Sequence, residues 1–258
     1  MKIILSPAKK MNVDLNTLDY VNLPEHIQQA EQIMNWLKLK SREELQELWR
    51  CNDKIAAQNF ERLNHMELRE RLTPAILSYE GIAFQYMAPA VFEDGQFDYV
   101  QEHLRILSAF YGVLRPMDGV TPYRLEMQAK AAIHGHKNLY DLWGRRIYDS
   151  VRDADGMIIN LASKEYSKCV EPYLTAQDTY INITFCEKAG NKLVTKGTYA
   201  KMARGEMVRY MAERKIADPA ELKRFDRLGY VYREDLSTDL EYVFERVQGY
   251  ENVKELMN

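Results

Sequence analysis

The chain has 258 residues, 46% of them hydrophobic and 28% charged, and its formal net charge at pH 7 is −3. These values are typical of a globular protein with a sizeable core. They exclude a chain that is positive over its whole surface, so nucleic-acid binding would need a local basic patch. No apolar run approaches the ~20 residues that span a bilayer, and the start of the chain has too short an apolar stretch for a secretory signal. We therefore expect a cytoplasmic protein that makes no contact with a membrane.

The first third of the chain predicts one strand followed by several helices. The apolar run Lys2–Leu5 predicts a buried strand. Ser41 and Glu44 have the spacing of a capping box, which predicts that a helix starts there. A second helix follows Asn52. The segment 24–72 has a helical pattern throughout and could form a subdomain.

The rest of the chain predicts alternating helices and strands. In chain order these are a helix capped by Asp98 that includes Leu104 and Leu107, a helix from Asn138 to Val151, strands at Met157–Leu161 and Thr179–Cys186, a helix at Thr198–Lys215, a helix start at Asp218, and a hairpin of Tyr230–Tyr232 with Leu240–Val247. No linker, low-complexity tract or internal repeat separates them. We therefore predict a single mixed α/β (α+β) domain, residues 1–258, with a central mixed sheet surrounded by helices.

Polar side chains follow two of the predicted strands. Ser6 and Lys9 come after the first strand, and a hydroxyl with a compact cation suits a phosphate group. The second group lies at and after the end of the strand that begins at Met157, and its members are Asn160, Ser163, Tyr166 and Lys168. Open α/β sheets bind ligands at the carboxyl ends of their strands, so the groups would share a site if these strands are neighbours. The alternatives are a proline turn with a solvated lysine, and helix capping by Asn160 or Ser163.

The loop that begins at Arg115 carries charged side chains among two prolines and a glycine. Rigid loops attached to packed elements often carry binding residues. We expect Arg115, Arg124 and Glu126 to lie near Lys9 and Ser163 and to form one polar site at the edge of the sheet. The planar fork of arginine suits a phosphate, and it equally suits a buried ion-pair network that orders the loop.

The helix at Thr198–Lys215 is the most basic predicted element. At 100° per residue, Lys201, Arg204 and Arg209 fall within about 140° of arc, away from the apolar side. With Lys196 nearby, we expect this outward face to contact the phosphate backbone of a nucleic acid. A basic face that is simply solvated, and diluted by acidic neighbours, is the alternative.

The cysteines and histidines predict neither a metal site nor a cofactor. Cys51, Cys169 and Cys186 are far apart and odd in number, which fits neither a disulfide framework nor a CxxC site. The five histidines include no HExxH motif. A catalytic Ser/His/Asp triad is not recognisable either, and acid/base roles cannot be assigned without geometry.

Six sequence blocks, in order along nearly the whole chain, resemble one protein family. They are Ile4–Lys9 (ILSPAK), Tyr111–Pro116 (YGVLRP), Pro122–Met127 (PYRLEM), Leu142–Gly144 (LWG), Asn160–Tyr166 (NLASKEY) and Tyr199–Gly205 (YAKMARG). As a set they are similar to the YaaA family of bacterial peroxide-stress proteins. The resemblance implies a single mixed α/β domain, DNA binding in a positively charged cleft, and a role in limiting intracellular iron during peroxide stress.

The resemblance also implies a helix-hairpin-helix element, which binds DNA without sequence specificity. The segment Arg50–Lys54 between two predicted helices is similar to such a hairpin, but it contains no glycine and Asp53 adds a negative charge. Lys54 could still contact a phosphate. The leading hypothesis is thus a peroxide-stress protein that binds double-stranded DNA through a local basic cleft. The rival hypothesis is an enzyme that acts on a nucleotide or another phosphorylated small molecule.

Overall fold

The computed structural model describes residues 1–190 and 192–247, so the end of the predicted domain at 248–258 lies outside the described residues. The strands are β1 Lys2–Leu5, β2 Lys10–Met11, β3 Thr73–Pro74, β4 Tyr79–Glu80, β5 Leu104–Ser108, β6 Gly112–Leu114, β7 Gly119–Val120, β8 Met157–Leu161, β9 Thr179–Ala189, β10 Lys192–Val194, β11 Tyr230–Tyr232 and β12 Glu241–Arg246. The α-helices are α1 Ile27–Lys38, α2 Arg42–Trp49, α3 Asp53–Asn64, α4 Ala75–Ser78, α5 Ile82–Met87, α6 Asp94–His103, α7 Leu139–Trp143, α8 Arg146–Val151, α9 Lys164–Ser167 and α10 Gly197–Arg214.

A mixed sheet lies at the centre, with strand order β11-β12-β9-β8-β1-β5-β6 and β10 paired to β9. The four inner pairings, from β12/β9 through β9/β8 and β8/β1 to β1/β5, are parallel. The pairings β11/β12, β5/β6 and β9/β10 are antiparallel. Parallel strands are buried on both faces by helices, which accounts for the apolar runs at 3–5 in β1 and 157–159 in β8. The predicted mixed α/β fold is confirmed.

Local capping chemistry starts several helices where the sequence predicted. Ser41 and Glu44 form the complete capping box of α2. Asn52 accepts a hydrogen bond from the Ile55 amide at 3.0 Å and caps α3. Asn138 caps α7 in the same way, through the Asp141 amide at 3.0 Å.

The helix predicted from Asp98 through Leu107 is wrong at both ends. Helix α6 begins at Asp94, where Glu93 and Gln96 form a capping box. Leu104 ends it by entering β5, which lies between β1 and β6 and is buried at every position. A short apolar run that is buried on all sides has no periodicity to separate a strand from a helix.

Two further helix predictions hold only in part. The helix from Asn138 to Val151 is two helices, α7 and α8, because Gly144 leaves the helical region with φ +50°. The segment after Asp218 begins at the predicted place, but it is a 3-10 helix, Pro219–Arg224. The two C-terminal strands pair antiparallel as predicted.

The N-terminal helices share one core with the sheet. Ile33 in α1, Leu45 in α2 and Leu63 in α3 belong to the same contiguous apolar cluster as Ile4 and Phe110. Segment 24–72 therefore shares a contiguous apolar core with the central sheet. Among the described residues, no helix is long and apolar enough to cross a membrane.

Candidate functional site

Two serines join the carboxyl ends of neighbouring strands. Strands β1 and β8 pair in parallel, with Leu5 opposite Leu161, so the loops that follow them leave the sheet side by side. The Ser163 amide donates to Ser6 Oγ at 2.8 Å, and the two hydroxyl oxygens are 3.1 Å apart. The expected meeting of the two polar strand ends is confirmed.

A cavity of about 360 Å³ opens above these serines. Its walls come from the loop after β1, the start of α5, the loop after β7, helix α9 and the first half of α10. The lining residues are Leu5–Lys10, Glu80–Phe84, Leu125, Glu126, Leu161, Ser163, Glu165, Tyr166, Lys201 and Arg204. Seven predicted site residues, Arg204 among them, thus line one cavity, and the predicted proximity of Lys9, Glu126 and Ser163 is confirmed.

One part of the cavity holds two carboxylates and a lysine. Lys9 Nζ lies 2.7 Å from Glu126 Oε1. Glu165 accepts a hydrogen bond from the Gln128 amide at 3.3 Å, which fastens the loop that carries Glu126. Burial raises the pKa of Glu165 and the charge of Glu126 raises it further, while backbone amides and Lys9 act in the opposite direction. The pair of carboxylates offers acceptor oxygens at a wall that is partly shielded from water.

Tyr166 forms the floor beside these carboxylates. Its side chain is buried, and burial raises the pKa of its hydroxyl well above the ordinary value. Beneath it, Tyr79 and Tyr123 share a hydrogen bond of 2.9 Å, and Tyr123 shares another of 2.8 Å with Ser108. Tyr166 is therefore a neutral hydrogen-bonding group that is supported by a cluster of hydrogen-bonded tyrosines.

Arg204 enters the cavity because α10 lies against α5 at very short distance. A Cβ at Gly205 would stand 1.8 Å from the carbonyl oxygen of Ala83, so only glycine allows this contact. The Arg204 Nε atom is buried and has no hydrogen-bond partner. Burial lowers the pKa of the guanidinium, and no carboxylate of the described residues offsets this effect. A partly buried cation that lines a cavity and has an unpartnered Nε can bind an anion there.

The position of Arg204 corrects the expectation of a continuous outward basic face on α10. Lys201 is exposed as predicted. Arg209 is only partly exposed, and its Nε donates to Glu213 at 2.7 Å. Helix α10 has neighbours on several sides, including α5, α6 and β9, so its buried arc is much wider than that of a helix on a free surface.

Several other predicted residues lie outside this cavity. Arg115 is exposed and directly follows β6. The last residue of β6, Leu114, pairs with Ile106, so Arg115 lies toward the amino-terminal end of β5. That end is at the edge of the sheet opposite to the cavity. The expectation that Arg115 joins Lys9 is therefore wrong. Arg124 is half-buried, and its Nε is buried without a partner, but it does not line the cavity.

The remaining residues have structural or surface positions. Asn160 donates to Asn182 Oδ1 at 2.8 Å and accepts from the Ala162 amide at 2.9 Å, so it shapes the turn after β8. Lys168 is exposed directly after α9 and does not line the cavity. Lys196 is paired with Glu187.

The helical hairpin contains a second, more open concavity. Helices α2 and α3 are joined through Arg50, whose φ of +45° turns the chain, and Lys54 is exposed in the first turn of α3. A groove of about 550 Å³ beside this turn is lined in part by Trp36, Arg50 and Lys130. Sequence reasoning missed this groove, because Lys130 is distant in the chain from both helices.

The described part of the chain contains no cluster of candidate metal ligands, and its two buried thiols are in an environment that disfavours the thiolate. Residues 1–190 and 192–247 contain no group of three or more His, Cys, Asp or Glu side chains placed to hold a metal. Burial raises the pKa of the Cys169 thiol to about 12, and it raises that of Cys186 as well. Both thiols are therefore protonated at neutral pH and poorly reactive.

The fold and the cavity define an α/β protein with a ligand-sized site at the carboxyl ends of parallel strands. The family model for peroxide stress protein YaaA matches residues 1–236, and the chain belongs to that family. It is 68% identical to a UPF0246 protein of Agathobacter rectalis, over 95% of this chain and 99% of that one. It is 52% identical to a UPF0246 protein of Lachnoclostridium phytofermentans, over 99% of both chains. A UPF0246 protein of Limosilactobacillus reuteri is 48% identical over 96% of this chain and 100% of its own length.

Proposed function

We propose that this member of the peroxide-stress family works in the cytoplasm by binding a phosphorylated small molecule in the strand-end cavity. The observation that carries the proposal is Arg204, a partly buried side chain whose Nε is buried without a hydrogen-bond partner among the described residues. A buried cation is costly unless an anion neutralises it, and a guanidinium fork matches the oxygens of a phosphate. Lys201 and the hydroxyls of Ser6 and Ser163 line the same space and can supply further donors.

The size of the cavity favours a small ligand over a duplex. Its volume of about 360 Å³ falls in the range of roughly 300–1,000 Å³ that is common for small-molecule sites. Helices α5 and α10, which form two of the walls, are in contact at Gly205. No channel of duplex width separates them at this point.

The direct test is calorimetric titration of nucleoside monophosphates and inorganic phosphate into the wild type and Arg204→Met. Removing one charged hydrogen-bond donor of about 1.5–3 kcal/mol should weaken binding by roughly 10- to 100-fold. Lys168→Met removes a cation from the same region outside the cavity and should change nothing. If the wild type binds none of these phosphates, or if Arg204→Met binds them as tightly as the wild type, the proposal fails.

DNA binding is a second proposal, supported by a different surface. Arg50, Lys54 and Lys130 form no ion pair with any described residue, and two of them line the open groove beside the helical hairpin. Four residues span at most about 14 Å, so the backbone of Lys130 lies within that distance of Glu126, which lines the cavity. Exposed, unpaired cations of this kind contact phosphates and do not read bases.

The DNA proposal predicts weak sequence preference and strong dependence on salt. Three phosphate contacts give a slope of log K against log salt near −3, and the triple variant Arg50→Ala/Lys54→Ala/Lys130→Ala should nearly abolish that slope. Arg204→Met should leave duplex affinity unchanged. A duplex affinity that does not depend on salt, or a triple variant that binds DNA like the wild type, would show that this surface does not bind DNA.

We further propose that any lowering of intracellular iron, which the family resemblance implies, follows indirectly from binding of the phosphorylated ligand or DNA. The absence of a metal-binding cluster within residues 1–190 and 192–247 supports an indirect route. The protein purified from cells grown with iron should then contain far less than one iron per chain by elemental analysis, and a stoichiometric content would contradict this part of the proposal.

A further inference from the structure

Two cations line the cavity from one face of α10. Lys201 and Arg204 are both part of the cavity wall, and they lie three residues apart in this helix. At 100° per residue, their positions are about 60° apart around the helix axis. Side chains at this spacing are neighbours, with Cβ atoms about 5–6 Å apart. Their charged groups can therefore contact a single bound group together.

Neither of these cations has a partner in the described part of the chain. Lys201 and Arg204 make no hydrogen bond and no ion pair with residues 1–190 and 192–247, and the Arg204 Nε atom is buried. Each of the other two lysines at the cavity is paired with a glutamate, and the Nζ–Oε distances are 2.7 Å for Lys9 and Glu126 and 2.5 Å for Lys10 and Glu80. The remaining acidic residue of the wall, Glu165, accepts a hydrogen bond from the Gln128 amide. Two positive charges on α10 are therefore available to a ligand.

The paired serines leave one hydroxyl donor for the same ligand. Ser6 Oγ accepts a hydrogen bond from the Ser163 amide at 2.8 Å and lies 3.1 Å from Ser163 Oγ. Two hydroxyls have two protons, and the single contact between them uses one of these protons. Because both serines line the cavity, the other proton can be donated to a ligand. The site thus offers two cations and one neutral donor.

This set of donors matches a phosphate monoester better than a phosphate diester. A monoester has three free oxygens and carries about two negative charges near neutral pH, so it neutralises both cations. A diester has two free oxygens and a single charge, so one cation would be covered by the ligand without being neutralised. Covering an unneutralised charge is costly, and this cost arises only with the diester.

We propose that the cavity binds ligands that end in a phosphate monoester, with Lys201 and Arg204 on the same phosphate, and that it discriminates against phosphate diesters. Lys201 sets this preference, because Arg204 alone is sufficient to neutralise a singly charged diester. The internal phosphates of a DNA strand are diesters and are therefore disfavoured at this site. The inference rests on the proposed function, because it specifies the class of phosphate that the same cavity binds.

The test compares two matched ligands by calorimetry, adenosine monophosphate and its phosphate methyl ester. They differ by one methyl group on a phosphate oxygen, which removes one negative charge. The wild type should bind the monophosphate more tightly by roughly tenfold or more, the effect of one charged hydrogen bond. Lys201→Met should weaken binding of the monophosphate by a similar factor and should change that of the methyl ester little. Lys168→Met removes an exposed lysine outside the cavity and should keep the preference of the wild type.

The outcomes separate the inference from the proposed function. Equal binding of both ligands by the wild type, or tighter binding of the methyl ester, overturns the inference and leaves the phosphate site intact. A preference that persists in Lys201→Met would come from the bulk of the methyl group and overturns the inference as well, as does a preference that is lost equally in Lys168→Met. If the wild type binds neither ligand, the proposed function itself fails. Both lysines are exposed, so thermal melting of the two variants should match that of the wild type.

Discussion

Gly205 fixes the distance between α10 and α5, and with it the position of Arg204. A Cβ at this residue would stand 1.8 Å from the Ala83 carbonyl oxygen. Gly205→Ala should therefore force the helices apart and destabilise the fold by about 1–3 kcal/mol, as overpacking does. It should also weaken phosphate binding.

Gly197→Ala is the matched control for this prediction. It lies in the same helix, and a Cβ there would meet nothing within 4 Å. It should be neutral or stabilise by up to about 1 kcal/mol, because alanine loses less backbone entropy in a helix. Chemical denaturation of both variants measures the difference. Equal stability of Gly205→Ala and wild type would show that the helices do not need this contact.

Asp118 gives the molecule a predictable dependence on pH. Burial raises the pKa of its carboxyl to about 7, although the Arg115 amide donates to it at 2.8 Å. The folded state then keeps a proton that the unfolded chain releases between about pH 4 and 7, so stability falls as pH rises through that interval. Asp118→Asn removes this titration while retaining an acceptor for the amide.

Denaturation of the wild type and Asp118→Asn at pH 4.5 and pH 7.5 checks the sign. The stability of the wild type relative to the variant should decrease from the lower pH to the higher one. The opposite trend would mean that the carboxylate is stabilised in the fold, with Arg105 and Arg115 outweighing burial.

At the scale of single residues, the sequence predicted those site residues that directly follow a strand. Ser6 and Ser163 could be assigned because each follows an apolar run, and their loops meet once β1 and β8 pair. The orientation of Arg204 could not be predicted, because it depends on how α5 covers α10. Arg115 was misplaced because the antiparallel return of β6 carries it to the other edge of the sheet.

Helix α2 owes its start to a capping box that can be tested alone. The Glu44 amide donates to Ser41 Oγ at 3.2 Å, and the Ser41 amide donates to the Glu44 carboxylate at 2.8 Å. Ser41→Ala should destabilise the protein by about 1 kcal/mol. Thr198→Ala, an exposed position in the first turn of α10 where no side chain caps the helix, should stay within about 0.5 kcal/mol. Similar melting temperatures for the two variants would contradict the capping argument.

Elements with local signals were predictable, and elements defined by distant neighbours were not. Caps such as Asn52 and Asn138 are contacts within three residues, so the sequence contains the whole interaction. Strand β5 is defined by its pairing with β1, about a hundred residues away in the chain. For the same reason the groove at Lys130 could not be predicted, because it depends on a loop that lies beside the helical hairpin.

At the scale of the whole molecule, the order of the strands creates the site. Strands β1 and β8 are separated by more than half of the chain, yet they are central neighbours in the sheet. Alternating helices and strands predicted the fold class, but not this adjacency. Because β1 and β8 are parallel, both following loops lie at one edge, where α5 and α10 close the cavity.

The most direct test of the account is a crystal structure of the wild-type protein soaked with a nucleoside monophosphate. The account predicts electron density for the ligand in the strand-end cavity, with its phosphate against the Arg204 guanidinium. The same soak of Arg204→Met crystals, at a ligand concentration that just saturates the wild type, should give clearly lower occupancy in the cavity. A ligand bound only elsewhere in the wild type, or an empty cavity at a saturating concentration, would contradict the central claim.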